Sequence, residues 1–220
     1  MAVLNLVRIV IQVIASLVLL AAIGFVTAGI LTTAWQVYTE PGSGEVHQHG
    51  LWLDFTLVKM HTAGSGDQLQ WTWKYKFGDA VRGDEVHKAQ PFQVNTLILL
   101  VVGTFLAILG LLFSFCASCL AFASIAWALS TLFAGILSAA GIILFYVTAM
   151  LPEHRYVYTD RKIEQVIGYS FWLSVIGTAG YGLSMIFSVV CAILIFIAAR
   201  NGRMPAKTYP KINHAHNTVV

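Results

Sequence analysis

Residues 89–152 read AQPFQVNTLILLVVGTFLAILGLLFSFCASCLAFASIAWALSTLFAGILSAAGIILFYVTAMLP, a stretch without a charged side chain. A membrane-spanning helix needs about 20 mostly apolar residues, so this stretch is long enough for two. Small and polar residues interrupt its Leu/Ile/Phe pattern at Ser114-Phe115-Cys116-Ala117-Ser118-Cys119. We therefore predict spans at 94–115 and 120–150, joined by a short turn at 116–119. Because backbone groups cannot stay unpaired in lipid, this turn must reach the headgroups.

Two further uncharged stretches flank this region, Ile9 to Thr39 and Val166 to Ala199, and they predict spans at 7–34 and 168–199. The 220-residue chain has a mean hydropathy of +0.76 and only 10% charged residues, against about 25% in soluble domains. The sequence thus predicts an all-α membrane bundle of four helices in a single domain. The first span is too long for a signal peptide and has no clear cleavage site, so we expect a retained signal anchor. The alternative is a cleaved peptide and a three-span protein.

Basic residues predict the orientation, because they concentrate on the cytoplasmic side of a membrane. The tail, 200–220, carries Arg200, Arg203, Lys207 and Lys211 without an acidic residue. Loop one, 35–93, has five Lys/Arg against seven Asp/Glu, and loop two, 151–167, is balanced. We expect both termini in the cytoplasm, both loops outside and a multi-pass protein of the plasma membrane.

Loop one is too long and too patterned for a bare linker. Residues 71–77 alternate aromatic with polar side chains, as in a half-buried strand, and 51–58 are rich in β-formers. Residues 62–67 between them are typical of a turn. We predict an antiparallel hairpin in a small extracellular sheet, to which 35–40, 79–87 and Tyr156-Val157-Tyr158 of loop two could add strands.

Aromatic residues in loop one are candidates for a contact surface, because aromatics are common interface anchors. They could equally pack between sheet and bilayer, where Trp is favoured. A strand buries one face, so only part of the set can be contact surface. The candidates are Trp35 and Trp52 and, along the second strand, Trp71, Trp73, Tyr75 and Phe77.

Trp35 is followed by Gly50-Leu51-Trp52 in the first outer loop of a four-span chain. This arrangement resembles the Trp…Gly-Leu-Trp signature of the claudin and peripheral-myelin-protein superfamily, and Gly168-Tyr169-Ser170-Phe171-Trp172-Leu173 is similar to the start of that family's last helix. Within the superfamily, the chain is most similar to the nematode Clc-like proteins. The resemblance implies a claudin-like fold and a structural, adhesive protein of cell-cell junctions that associates with itself in cis and in trans and contributes to a paracellular barrier. The alternative that it implies is an accessory subunit modulating an ion channel or receptor.

The chain departs from the family at its paired loop-one cysteines. Phe55 and the Gly64 to Gly66 region stand where the family places this disulfide, and the three cysteines of the chain, Cys116, Cys119 and Cys191, fall in predicted helices or the inner turn. Since losing a disulfide typically costs about 2–5 kcal/mol in a small secreted domain, we expect the sheet aromatics to compensate or the loop to be less rigid.

Two short motifs lie on the predicted cytoplasmic side. Cys116 and Cys119 are placed for S-palmitoylation at the membrane boundary, or are inert small thiols. Thr218-Val219-Val220 has the Ser/Thr-x-apolar carboxyl-terminal form that adds a strand to a PDZ groove, which implies a PDZ scaffold as partner.

The sequence gives little support for a metal site, a transporter or an enzyme. Glu45, His47, His49 and His61 are grouped in loop one, with His154 in loop two, but no scaffold for a metal is visible and we expect a solvated loop and no metal or cofactor. No charge lies in the interior of a predicted span, which disfavours a pump or transporter. Catalytic motifs are not found, so an enzyme is not expected. If the loop selected ions, charges such as Asp54, Lys59, Lys74, Lys76 and Asp79 would line the path.

Overall fold

The computed structural model describes residues 2–40, 44–62, 66–76, 89–117, 121–151, 157–158, 161–162 and 165–200. They contain four long helices: α1 (Ala2–Leu31), α2 (Pro91–Cys116), α3 (Ala121–Ala149) and α4 (Tyr169–Arg200). Each is apolar and long enough to cross a bilayer. The predicted four-helix membrane bundle is confirmed.

Helix α2 begins at Pro91, three residues before the predicted start at 94. Proline suits the first helical position, because its missing N–H would have no intrahelical partner there. Gln90 and Gln93 form a capping box around this start, which satisfies two backbone donors reciprocally. Helix α1 ends at Leu31, and residues up to 34 belong to the connection into the sheet.

Small residues let the helices approach closely. At Gly103 of α2, an added Cβ would lie 2.6 Å from the Ser138 hydroxyl of α3, and at Gly177 of α4 it would lie 2.8 Å from the Ala22 carbonyl of α1. Since Ser138 is buried, its face packs within the bundle. Gly24 of α1, by contrast, has nothing within 4 Å of such a Cβ.

A five-stranded antiparallel sheet lies where α1 ends and α2 begins, with the strand order β4-β3-β2-β1-β7. Its strands are β1 (Gln36–Thr39), β2 (Val46–His49), β3 (Leu53–Thr62), β4 (Gly66–Tyr75) and β7 (Val166–Ile167). A separate two-stranded ribbon pairs β5 (Val157–Tyr158) with β6 (Arg161–Lys162). We call the end of the bundle that carries the sheet the sheet end.

The predicted hairpin is confirmed as β3 and β4, which pair from Leu53↔Tyr75 to Thr62↔Gly66. Loop two does join the main sheet, but through Val166–Ile167 beside β1. The prediction that 156–158 supply this edge is wrong for 157–158, which pair with 161–162 instead, and Tyr156 lies outside the described residues. The predicted strand at 79–87 lies outside the described residues.

An aromatic core joins the sheet to the helices. The Trp35 ring packs edge-on against Phe145 of α3, at 4.8 Å between centroids, and against Phe171 of α4, at 6.1 Å. Phe92, in the first turn of α2, lies 5.7 Å from Phe145. Three helices thus meet around the residue that begins the sheet.

Candidate functional site on the sheet

The two signature tryptophans cap the end of α1. The last four carbonyls of a helix have no intrahelical partner, and unpaired carbonyls near the bilayer are costly. Trp35 Nε1 donates to the Gly29 carbonyl at 2.7 Å, and Trp52 Nε1 donates to the Ile30 carbonyl at 2.9 Å. Each indole therefore combines apolar bulk with an N–H donor for a carbonyl at this helix end.

The residues between these tryptophans close the same junction. A Cβ on Gly50 would clash with the Leu53 carbonyl and lie 3.0 Å from the Thr33 Cα, so a side chain at Gly50 would push the β2–β3 connection off the helix end. Leu51 is completely buried in the core. The structure thus brings the four signature residues together as an anchor between the sheet and α1. Of the two predicted alternatives, Trp35 and Trp52 are packing residues and not contact surface.

A group of charged and polar side chains lies buried beside this anchor. His49, Asp54 and Lys76 are 1%, 1% and 4% exposed. Asp54 Oδ1 accepts from Lys76 Nζ and from the Gly50 amide, both at 3.2 Å, and Asp54 Oδ2 lies 3.0 Å from His49 Nδ1. Three donors therefore surround one carboxylate.

Lys76 connects this group of side chains to the start of α2. Its Nζ donates to Gln93 Oε1 at 2.8 Å, and the same oxygen accepts from the Gln90 amide at 3.2 Å at the start of α2. The Lys76 amide also donates to the Trp52 carbonyl at 3.0 Å. We call His49, Asp54, Lys76 and Gln93 the buried network; it ties β2, β3 and the end of β4 to α2.

Burial and pairing act in opposite directions on the lysine. Burial lowers the pKa of Lys76 from its ordinary 10.5, because the charged form loses water, while the Asp54 carboxylate opposes that shift. Breaking such a pair by removing one partner is strongly destabilising. The network is therefore a structural tie, and the expectation that Asp54 and Lys76 line an ion path is wrong because both are enclosed.

The second strand of the hairpin presents a different surface. Trp71, Trp73 and Tyr75 alternate along β4 and remain 64%, 57% and 60% exposed. Phe55 on β3 packs against two of them, at 4.7 Å from Trp73 and 6.3 Å from Trp71 between centroids. We call Phe55, Trp71, Trp73 and Tyr75 the aromatic face; among the described strands, β4 is an edge of the sheet.

One member of the aromatic face, Phe55, stands at one of the two positions where the resemblance places the loop-one disulfide. Phe55 is paired directly with Trp73 across the two strands, and cross-strand aromatic pairs stabilise a sheet by roughly 0.2–1 kcal/mol. That is less than a disulfide contributes. The expected compensation by aromatics therefore needs the buried network as well, which fixes the base of the same hairpin through Asp54.

His47 and His49 of loop one do not lie in a solvated loop. Residues 46–49 are strand β2, and His49 turns inward to Asp54, so that prediction is wrong for this residue. His47 stacks on Tyr38, with 4.8 Å between ring centroids. Ligand-type atoms of His47, Glu40 and Glu45 lie within 4.8 Å of one another and are half-buried; the sequence had grouped Glu45 with His47, but not Glu40. His61 is described only in its backbone, and His154 lies outside the described residues.

The remaining candidates lie away from the sheet. Cys116 is exposed at the last residue of α2, as membrane-boundary acylation would need, and Cys191 is buried in α4. Outside the described residues lie Phe77, Cys119 and the carboxyl-terminal Thr218, Val219 and Val220.

Sequence reasoning missed the buried network. A strand pattern shows which residues share a face, but Asp54 and Lys76 read as ordinary solvated charges. The one available signal was a lone acidic residue at 54, two positions after the Gly50-Leu51-Trp52 segment.

Comparison with known proteins places this geometry in a family. A search of the curated proteins finds no match. A family model described as Clc-like matches residues 8–200, which include α1 from Arg8 onwards, the other three helices and the whole sheet. The match is to the family as a whole, and similarity to its nematode members stays a prediction. The chain belongs to the Clc-like family of claudin-like membrane proteins.

Proposed function

We propose that this protein is a structural, adhesive component of cell-cell contacts. It lies in the plasma membrane with both termini in the cytoplasm, associates with copies of itself, and contributes to junction assembly or a paracellular barrier. The basic tail supports the orientation, because it carries Arg200, Arg203, Lys207 and Lys211. This orientation directs the sheet towards the neighbouring cell.

The aromatic face is the observation that carries this proposal. Trp and Tyr are enriched among residues that dominate binding energy, and a contiguous exposed apolar patch on a folded surface marks an interaction site. Trp71, Trp73 and Tyr75 lie on one side of an edge strand and are all more than half exposed. Trp71 and Trp73 repeat every second residue, so a partner would meet both rings at once.

The way in which the aromatic face is attached to the helix bundle supports an adhesive role. The hairpin that carries it continues at its base into Asp54 and Lys76, which the buried network fixes to α2. An interface held on a rigid scaffold loses less conformational entropy when it binds. The sheet can therefore transmit a contact between cells to the membrane bundle.

The test is expression in non-adherent cells, with imaging of whether the protein concentrates at new contacts. We expect enrichment for the natural sequence and its loss in Trp71→Ala/Trp73→Ala. The matched control is Gln70→Ala/Thr72→Ala, which changes two exposed residues on the opposite side of the same strand and should keep the enrichment.

Uniform surface staining of the natural protein would contradict adhesion. If the same protein then co-purified with one channel at fixed stoichiometry, the accessory-subunit function would replace the junctional one. Equal loss of enrichment in the control would show that the strand, and not its aromatic face, matters.

Two cytoplasmic contacts extend the proposal. Thr218-Val219-Val220 would bind a PDZ scaffold, and deletion of Val220 should abolish capture by PDZ domains, since the groove binds the terminal carboxylate. Cys116 and Cys119 would carry palmitate. Hydroxylamine-sensitive labelling that persists in Cys116→Ser/Cys119→Ser would rule out that modification at these residues.

A further inference from the structure

A groove opens between α1 and α2 at the end of the bundle away from the sheet. Its volume is about 350 Å³, within the range of small-molecule sites. It is lined on α1 by Ile9, Gln12, Val13, Ser16, Leu17 and Leu20, and on α2 by Leu111, Ser114 and Phe115. Because both helices span the membrane, the groove lies in the leaflet opposite the sheet and opens to lipid.

Polar groups gather at the floor of this groove. Gln12 Nε2 donates to the Ser114 carbonyl at 2.5 Å, and the Ser16 hydroxyl lies 3.1 Å from that of Ser114, which is fully buried. A serine hydroxyl has one proton and two lone pairs. Ser16 has two acceptors within reach for its proton, the Gln12 carbonyl at 2.9 Å and Ser114 Oγ. Its oxygen therefore keeps the capacity to accept a bond from a ligand hydroxyl.

The floor is neutral as well as polar. Among the described residues that line the groove, none is charged, so nothing there is suited to a phosphate headgroup, which binds through Arg or Lys. Polar side chains in a lipid-facing position are uncommon and mark functional sites. The ligand chemistry that fits is a single neutral hydroxyl.

The walls of the groove are long and apolar. Ile9, Val13, Leu17 and Leu20 recur on one side of α1 at helical spacing. From Gln12 to Leu20 the helix rises about 12 Å at 1.5 Å per residue. Ser114 is two residues from the end of α2, which places the polar floor near the membrane surface and the apolar walls towards its centre. That is the arrangement of a membrane sterol, with its hydroxyl at the surface and its rings below.

We propose that the groove between α1 and α2 is a sterol site, in which Ser16 binds the sterol hydroxyl and Val13, Leu17 and Leu20 contact its rings. A rigid ring system loses less conformational entropy on binding than a flexible acyl chain. The groove therefore selects a sterol over the acyl chains that surround the bundle. The site is independent of the adhesive function.

The test is photolabelling of the full chain in vesicles of phosphatidylcholine and cholesterol. One probe is a sterol carrying a diazirine and an alkyne, and the second is a diazirine-bearing phosphatidylcholine. We expect the sterol probe to label peptides containing residues 9–20 or 111–115, and excess cholesterol to displace it. The phosphatidylcholine probe should label all four helices without that displacement.

Variants separate the site from general lipid contact. Ser16→Ala should reduce specific sterol labelling about fivefold, as the loss of one hydrogen bond predicts, and Leu17→Trp should block it by filling the groove. Thr104→Val is the matched control, because it removes an α2 hydroxyl outside the groove, and its labelling should be unchanged.

Unchanged labelling in Ser16→Ala and Leu17→Trp, or equal displacement of both probes by cholesterol, would overturn the sterol site. Since Ser16→Ala could disturb the helix pair itself, monodisperse elution of each variant serves as the folding check. Leu17→Trp leaves the hydrogen bonds among Gln12, Ser16 and Ser114 in place. It therefore tests the sterol site independently of Ser16→Ala.

Discussion

Two neighbouring residues of β3 show how one alternating pattern serves two purposes. At its start, Asp54 is enclosed with Lys76 in the buried network, while one residue further on Phe55 supports the aromatic face. The same contrast separates the tryptophans: Trp35 is completely buried at the base, whereas Trp73 is 57% exposed on the hairpin. Residue type does not decide the role. The face of the strand separates Asp54 from Phe55, and distance from the helix ends separates Trp35 from Trp73, because the bundle covers only the base of the sheet.

The largest effect should come from breaking the buried network at one partner. Lys76→Met leaves the Asp54 carboxylate enclosed without its cation, and loss of one member of a buried pair costs about 3–5 kcal/mol. We expect faster hydrogen exchange of the β2 and β3 amides and a lower unfolding midpoint in detergent. Unchanged exchange in this variant would show that the network is not a tie.

The double variant Asp54→Leu/Lys76→Met sharpens this test. Replacing a buried ion pair by apolar residues of similar volume is often neutral or stabilising. We therefore expect the double variant to recover much of the loss, although His49 and the Gly50 amide keep donors that faced Asp54. A double variant as unstable as the sum of the two single ones would mean that these remaining donors dominate.

The tryptophan caps should show the next largest effect. Trp52→Phe keeps an aromatic ring but removes the donor to the Ile30 carbonyl, and a buried polar group left unpaired costs about 1–3 kcal/mol. Trp71→Phe makes the same chemical change on the aromatic face and should cost under about 0.5 kcal/mol, as exposed substitutions usually do. Thermal unfolding of the two variants side by side measures the difference, and equal midpoints would remove the capping role.

A smaller, pH-dependent change in stability should distinguish the effect of burial on the pKa of Lys76 from the effect of its pairing with Asp54. Asp54→Asn removes the carboxylate that opposes the effect of burial, so the pKa of Lys76 should fall further below 10.5. Between the folded pKa and 10.5 the unfolded chain binds more protons, so stability must rise with pH in that window. The gain is at most about 1.4 kcal/mol for each pH unit.

The measurement is the unfolding midpoint from pH 7 to pH 10. The Asp54→Asn midpoint should rise relative to that of Asp54→Asn/Lys76→Met, which has no lysine at this site. Parallel curves for the two variants would show that Lys76 keeps its proton throughout this range.

Much of the fold could be predicted because lipid imposes strong rules on sequence. Four spans follow from the length of uncharged stretches, and the β3–β4 hairpin follows from the alternation around Trp71 and Trp73. Strand β2 was missed, since Val46–His49 is short and its residues are weak β-formers apart from Val46. The pairing of Val166–Ile167 with β1 was missed because it joins residues far apart in sequence.

The candidate site, like the fold, could be predicted from the sequence only in part. The sequence placed the signature residues and the aromatic strand in one loop, but could not say which aromatics are covered, because that depends on where the helix ends lie. Nor could it show that Asp54 and Lys76 meet. Their separation in sequence carries no information until the register Leu53↔Tyr75 sets both residues at the base of the hairpin.

The smallest change in stability should come from substitutions on the aromatic face. A small cost to folding is what distinguishes a binding surface from a part of the core. Trp73→Ala removes a ring that contacts Phe55, and such an aromatic pair adds about 0.5–1.5 kcal/mol beyond area burial. Because Trp73 is mostly exposed, we expect an unfolding cost near 1 kcal/mol, well below that of Lys76→Met. A cost as large as for the buried network would mean that the face is a second core. A small cost combined with loss of enrichment at cell contacts would mean that these rings are exposed for a partner, since folding alone does not require them.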